Sequence, residues 1–354
     1  MKTTIARIAI RDRDLGQQAR AHLDNLTKPP GSLGQLERLA IELVEMTGQA
    51  FPAVVPPAVL VFAADHGVAA EGVSAFPQAV TAQMVANFVG GGAAINVFAR
   101  QIGAQLEIID VGVASEFPGG NIERGVVHEK VRPGTANFVD VDAMSRDEAE
   151  RAIDVGIRAA NRALDAGCNC LIVGEMGIAN TTASSAVLAV LTGEEPARVV
   201  GQGTGIPQAL LPHKQTVIER AIAARRPDRS DPVEVLAKVG GLEIGAMAGA
   251  YLGAAARRTP VIVDGFIATV AALLACRLCP GARDFMIFGH RSQEPGHAVA
   301  LAALNAAPLL DLDLRLGEGS GAALAFPLVA SATRMLAEMA TFDSAGIAGS
   351  ESRE

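Results

Sequence analysis

Polar residues in this chain collect where apolar runs give way to glycine, and four such places hold groups able to do chemistry. In GEMGIANTTASSAV (174–187) a strand-like run ends in Glu175, Gly177 and Ile178, and a helix of Ala and Ser begins near Thr182. Backbone N–H groups at such a helix start, beside glycines, form an anion site. The plainer alternative is a helix start capped by Thr181 or Thr182. GQGTG (201–205) is a second glycine-rich turn, holding Gly203 and Gly205, with Lys214 on the helical pattern that follows. A lysine there is either a point charge for phosphate or a solvated helix residue. LGEGSGAA (316–323) sets Glu318 between Gly317 and Gly319. Glycine lets a backbone turn sharply or approach a ligand, so this carboxylate is either a turn residue in water or a placed base. Asp311 and Asp313 alternate along a strand-like run and so face one side. A hydrogen-bonded pair near the strand end is favoured there over a magnesium site.

Other constellations are excluded by spacing. Asn180-Thr181 stand where a Walker A loop requires Lys followed by Ser or Thr. GEGSG matches G-x-G-x-G, but a dinucleotide site needs a following strand with an acidic end about 20 residues on. A helix pattern and a tail follow instead, which counts against a nicotinamide dehydrogenase. Paired acids before T-G-G-T, a diphosphate-ribose transferase signature, do not occur, and no G-x-S-x-G elbow supports a hydrolase triad. The cysteines form two pairs, Cys168/Cys170 and Cys276/Cys279. C-x-C is a poor spacing for structural zinc; small buried thiols are the plainer reading.

These residues need a scaffold that brings them together. The chain has 354 residues, enough for one large core and a satellite. It is 50% apolar yet only 4% aromatic, with 37 Gly, so small residues must pack helices closely on a sheet. A net charge of −8 and the lack of a Lys/Arg block argue against nucleic acid. No apolar run reaches the ~18–20 residues of a membrane span. MKTTIARIAIRDRD carries charges where a signal peptide needs an apolar stretch, so a cytoplasmic protein is expected.

Helical patterns over 13–26 and 35–48 lie on either side of TKPPGSLG (27–34), a Pro/Gly turn. Six apolar runs then alternate with helical patterns: 59–67, 106–112, 170–177, 260–266, 284–290 and 309–319. Continuous apolar strands alternating with helices predict an α/β fold with an open, mostly parallel, Rossmann-like sheet flanked by helices. Right-handed crossovers place all strand C-termini, and with them Asp65, His66, Asp110, Glu175, Asp264, His290 and Glu318, at one edge, where such folds bind ligands. The expected division is 1–50 as N-terminal helices of a small subdomain and 51–319 as the large α/β domain. Residues 320–354 supply a C-terminal helix that joins the small subdomain, then a frayed tail, SAGIAGSESRE.

Taken in order, TKPPGSLG (27–34), ADHGVAAEGVSAFPQAVTAQM (64–84), GGGAAINVFAR (90–100), RPGTANF (132–138), GEMGIANTT (174–182), GTGI (203–206), VGGLEIGAMAG (239–249), VDGF (263–266), GHRSQEPGHA (289–298) and LLDLDLRLGEGSGAA (309–323) span nearly the whole chain. Together they resemble the nicotinate-nucleotide:dimethylbenzimidazole phosphoribosyltransferase family. The resemblance implies transfer of phosphoribose from nicotinate mononucleotide to 5,6-dimethylbenzimidazole, with inversion at the anomeric carbon, in assembly of the cobalamin lower ligand. It implies Glu318 as general base and no metal or cofactor. It implies that Glu175, Gly177, Ile178, Gly203, Gly205 and Lys214 hold the phosphoribosyl part and that Ser292 lies near nicotinate. Phe76, Met84 and Leu316 would flank the acceptor ring. The chain departs at Phe76 and Met84, where other members can carry small polar residues. The family's homodimer is an interface that the apolar helix 242–256 could serve. A reading from another class is a non-catalytic nucleotide sensor or carrier on the same fold, which would have no reason to keep Glu318 among glycines.

Overall fold

The computed structural model describes residues 1–117 and 124–348. Its centre is a six-stranded parallel sheet. The strands are β1 (Pro57–Ala64), β2 (Gln105–Gly112), β3 (Val126–His128), β4 (Cys170–Met176), β5 (Val261–Val263) and β6 (Met286–Phe288), in the order β3-β2-β1-β4-β5-β6. Every residue of β1 is buried, as expected for PAVLVFAA covered on both faces. The order reverses between β1 and β4, so the crevice beyond their C-terminal ends is the topological switch point of an open α/β sheet.

Two expectations about strands need correction. Val126–His128, not the run at 309–319, completes the main sheet. That late run contributes only β8 (Leu310–Asp311), which pairs in parallel with β7 (His290–Arg291) in a separate ladder. Asp311 and Asp313 are not partners either. Asp311 Oδ2 lies 3.2 Å from Arg291 Nε. Asp313 turns into the left-handed region at φ 55° and accepts from Gln293 Nε2 at 2.6 Å. The backbone leaves the extended state at Asp313, so strand alternation ends before it.

Helix Leu242–Ala256 is buried throughout except for its last residue and crosses helix Arg146–Asp165 at very short range. A Cβ at Gly156 would collide with Ala246 O, so only glycine permits this approach. The helix is core, and it presents no face to a second chain as the sequence reading supposed.

The N-terminal helices Arg13–Asp24 and Gln35–Thr47 pack together and against helix Ser320–Glu338. A Leu26–Thr341 bridge and a contact of His22 Nε2 with Leu336 O at 3.0 Å join the two chain ends. Helix Ser320–Glu338 also touches β4 and β5, so it runs from the sheet edge into the helical body. The expected frayed tail, 344–354, starts inside a short helix, Phe342–Ala345; its last residues, 349–354, lie outside the described residues. By length and composition, 80–101 and 320–338 do qualify as candidate spans, contrary to the sequence expectation. The first is interrupted at Gly90–Ala93, and more than half of the second is buried inside the protein.

Candidate active site

A cavity of about 620 Å³ opens at the C-terminal edge of the sheet. It is lined by Glu175 at the end of β4, Gly177 and Ile178 just beyond it, Asp264 after β5, His290 and Ser292 after β6, and Glu318 from the last loop. Phe76, Met84 and Leu316 form an apolar rim: Phe76 and Leu316 are exposed and Met84 is half-buried.

Glu318 sits in a run of three left-handed residues, with φ of 90° at Gly317, 64° at Glu318 and 86° at Gly319. A non-glycine residue in this region costs about 1 kcal/mol or more. The loop is held there from two sides. Gly174 of β4 allows Glu318 O to dock where a Cβ would collide. Asp264 accepts from Gly319 N at 3.2 Å and Ala322 N at 2.8 Å, capping helix Ser320–Glu338. The buried Glu318 side chain receives Ile95 N, near the start of helix Ala94–Gln101, at 3.4 Å. Burial pushes its pKa up, the Ile95 amide draws it down, the Asp264 charge adds to the rise, and the net shift is upward.

Glu175 is a second buried carboxyl in the same cavity. Its Oε2 accepts from Asn180 Nδ2, and a Cβ at Gly317 would run into its Oε1. Burial raises its pKa to about 8, with Glu243, Asp264 and Glu318 adding and Asn180 opposing. Glu175 therefore holds its proton more tightly than an ordinary carboxylic acid, and when protonated it can donate a hydrogen bond. Two carboxyls in one cavity thus have different supports, the arrangement that separates acid and base roles.

The glycine-rich turn is braced by charged side chains. Gly203 N donates to Glu294 Oε1 at 2.8 Å, and Gly203 O accepts from Arg315 Nη1 at 3.4 Å. Lys214 Nζ donates to Thr181 Oγ1 at 2.9 Å and to Gly201 O at 3.1 Å. Lys214 is buried behind the cavity wall, where burial lowers its pKa to about 8 despite the opposing pull of Glu294. Gly205 does not line the cavity, and its amide bonds to Gln202 O. The Ile178 amide is also committed, to Thr81 Oγ1 at 3.1 Å. Helix Asn180–Thr192 starts after Ala179, left-handed at φ 74°, so neither Thr181 nor Thr182 is its N-cap.

Ser292 lies where β7 ends. Its N–H donates to His297 Nδ1 at 2.7 Å, and its Oγ accepts from Glu294 N at 3.3 Å. Burial lowers the His297 pKa to about 4, which keeps the ring neutral and Nδ1 free to accept. His290 Nε2 lies 3.4 Å from Asp264 Oδ1. Burial works against the His290 charge, but the Asp264 carboxylate prevails and the pKa is raised.

Sequence reasoning placed Asp264 and His290 at strand ends, used Asn180 to exclude a Walker A loop, and did not single out Glu294 or Arg315. A signal for Glu294 was present: it directly precedes a proline that opens a helix, Pro295–Ala303. Nothing in the spacing marked Arg315, which reaches the cavity only because the backbone turns at Asp313.

The fold and this cavity define a class. Residues 8–347 match the sequence model of a family described as Phosphoribosyltransferase. The nicotinate-nucleotide–dimethylbenzimidazole phosphoribosyltransferase of Chloroflexus aggregans is 54% identical over 99% of this chain and 98% of its own. That of Geobacter sulfurreducens is 51% identical over 97% of each chain. The crystal structure of CobT from Thermus thermophilus superposes with a TM-score of 0.91 at 49% identity, covering 95% of this chain and 100% of that one. The chain belongs to the nicotinate-nucleotide–dimethylbenzimidazole phosphoribosyltransferase family, as its motifs indicated, and the Rossmann-like α/β fold is the one expected.

Proposed function

We propose that this chain transfers phosphoribose from nicotinate mononucleotide to 5,6-dimethylbenzimidazole, giving α-ribazole 5′-phosphate and nicotinate. The observation that carries the reading is Glu318, a buried carboxylate on a strained loop, opening into a cavity with a glycine-braced polar end and an apolar rim. One benzimidazole nitrogen attacks the anomeric carbon. The bond to the nicotinate nitrogen breaks, and its electron pair leaves with the ring, so the departing pyridine is neutral and needs no strong acid. The second benzimidazole nitrogen becomes acidic as the first bonds, and Glu318 takes its proton. A raised pKa makes Glu318 a stronger base than an ordinary carboxylate.

In this reading Glu175, Gly177, Ile178 and Gly203 form the phosphoribosyl end. Lys214 lends positive charge from behind Thr181, and Gly205 shapes the turn. Ser292 faces nicotinate, while Phe76, Met84 and Leu316 sandwich the acceptor. Much of the rate acceleration comes from holding two flat rings on opposite faces of the ribose. Two small-molecule substrates and a charge of −8 suit an enzyme with no nucleic-acid or membrane partner. A cytoplasmic homodimer completes the proposal on the family resemblance. The test is incubation with nicotinate mononucleotide and a panel of bases: dimethylbenzimidazole, other benzimidazoles, adenine and a phenol. Product mass should report phosphoribosylated dimethylbenzimidazole; no product from any base would refute the reading.

A further inference from the structure

The acceptor rim and the nucleotide turn meet at one hydroxyl. Thr81 is the second residue of helix Val80–Val89, whose Val80 and Met84 line the cavity. Its side chain is fully buried, and its Oγ1 accepts the Ile178 N–H at 3.1 Å. Burial raises the pKa of the nearby Asp65 carboxyl, and the Ala114 amide and the Thr81 hydroxyl oppose that rise. Asp65 is itself fixed: its Oδ2 accepts Ala114 N at 2.8 Å, and its backbone O accepts Thr135 N at 3.0 Å. Asp65 follows β1 and Ile178 follows β4, the two strands on either side of the switch point. Thr81 therefore ties the acceptor-bearing helix to the segment that follows β4, beside the switch point.

We infer that Thr81 is a positioning residue, setting the distance between the acceptor pocket and the phosphoribosyl turn. The inference rests on the transfer reading above. Transfer requires the attacking nitrogen and the anomeric carbon within about 3–3.5 Å, and small misplacements lower the rate steeply. Without the hydroxyl, the helix is held at this point by apolar contacts, which are non-directional, while the Ile178 N–H loses its buried partner.

Thr81→Val keeps the side-chain shape and removes the hydrogen bond to Ile178 N. Its kcat should fall about tenfold while each KM stays within about threefold, because relative placement is lost rather than binding of either substrate. Thr81→Ser restores the hydroxyl and should stay within about threefold of wild type. Thr81→Ala serves in place of Val if that variant does not fold. An activity-independent reading is amide exchange at Ile178 in the substrate-free protein: slow in wild type and Thr81→Ser, and at least about tenfold faster in Thr81→Val. A folded Thr81→Val with wild-type kcat, or a Thr81→Ser that loses as much as Thr81→Val, overturns the inference. If the wild type itself yields no product from the proposed substrates, the transfer reading falls, and Ile178 exchange still decides whether the tie exists.

Discussion

Asp264 fixes Glu318 through the backbone: its carboxylate caps Gly319 N at 3.2 Å and Ala322 N at 2.8 Å, directly beyond the proposed base. Its charge also contributes to the upward shift of the Glu318 carboxyl, after burial. Asp264→Asn keeps an acceptor oxygen and removes that charge. A negative neighbour raises a carboxyl pKa, so its removal should lower the Glu318 pKa and move the acid limb of the rate–pH profile to lower pH. The weaker cap should cost about 1–2 kcal/mol of stability. Rates across pH, with a thermal midpoint for each protein, check both effects; an acid limb that stays in place contradicts the coupling.

Glu175 should leave a mark on stability. Its carboxyl titrates near 4.5 in the unfolded chain and near 8 in the folded protein. Between these values the unfolded chain releases a proton that the folded protein keeps. The contribution of Glu175 to stability is thus full below its unfolded pKa and is lost as pH rises through its folded pKa. Glu175→Gln lacks this titration, so its melting temperature should gain on the wild type as pH goes from about 5 to about 8. A constant gap between the two melting curves would place the Glu175 pKa near its ordinary value.

The sheet was legible because β1 and most of β4 are apolar, buried runs, and β2 carries a buried Ile108-Ile109 core, which leaves little choice of structure. Glu318 was legible for a local reason as well: glycines on both sides of one acid are a backbone requirement written into the sequence. β3 was not legible, since three residues ending in an exposed histidine carry too little pattern. The misreading of 309–319 arose where the chain turns at Asp313, a conformation unusual for a residue other than glycine. The bracing of the Gly201–Gly203 turn by Lys214, Glu294 and Arg315 depends on three segments far apart in sequence. No spacing rule reaches such contacts.

Lys214 stands behind Thr181 and Gly203, close enough to lend its charge to a phosphate in front of them. Lys214→Ala should weaken nicotinate mononucleotide binding by about 1.5–3 kcal/mol. Nicotinate riboside, which lacks the phosphate, should lose much less. Calorimetry with both ligands separates the effects, and equal losses would leave Lys214 as a brace of the turn alone.

Phe76 is exposed at the cavity rim, 51% accessible, and so is free to cover a flat acceptor ring. Phe76→Ser should raise KM for dimethylbenzimidazole more than KM for the nucleotide, because stacking and burial are lost on one side only. Equal changes in both constants would indicate a packing role.

The claim at the centre of this account is that Glu318 is the general base, and Glu318→Gln tests it with least disturbance. The substitution preserves shape and hydrogen-bonding reach and removes the proton acceptor. Steady-state kinetics across pH, with melting temperatures taken alongside, should show turnover reduced by ~10²–10⁴ at nearly unchanged nucleotide affinity. The acid limb of the wild-type profile, set by the raised Glu318 pKa, should vanish in the variant. Near-normal turnover in Glu318→Gln with the acid limb intact would contradict the account and move the base to another carboxyl of the cavity, Glu175 or Asp264.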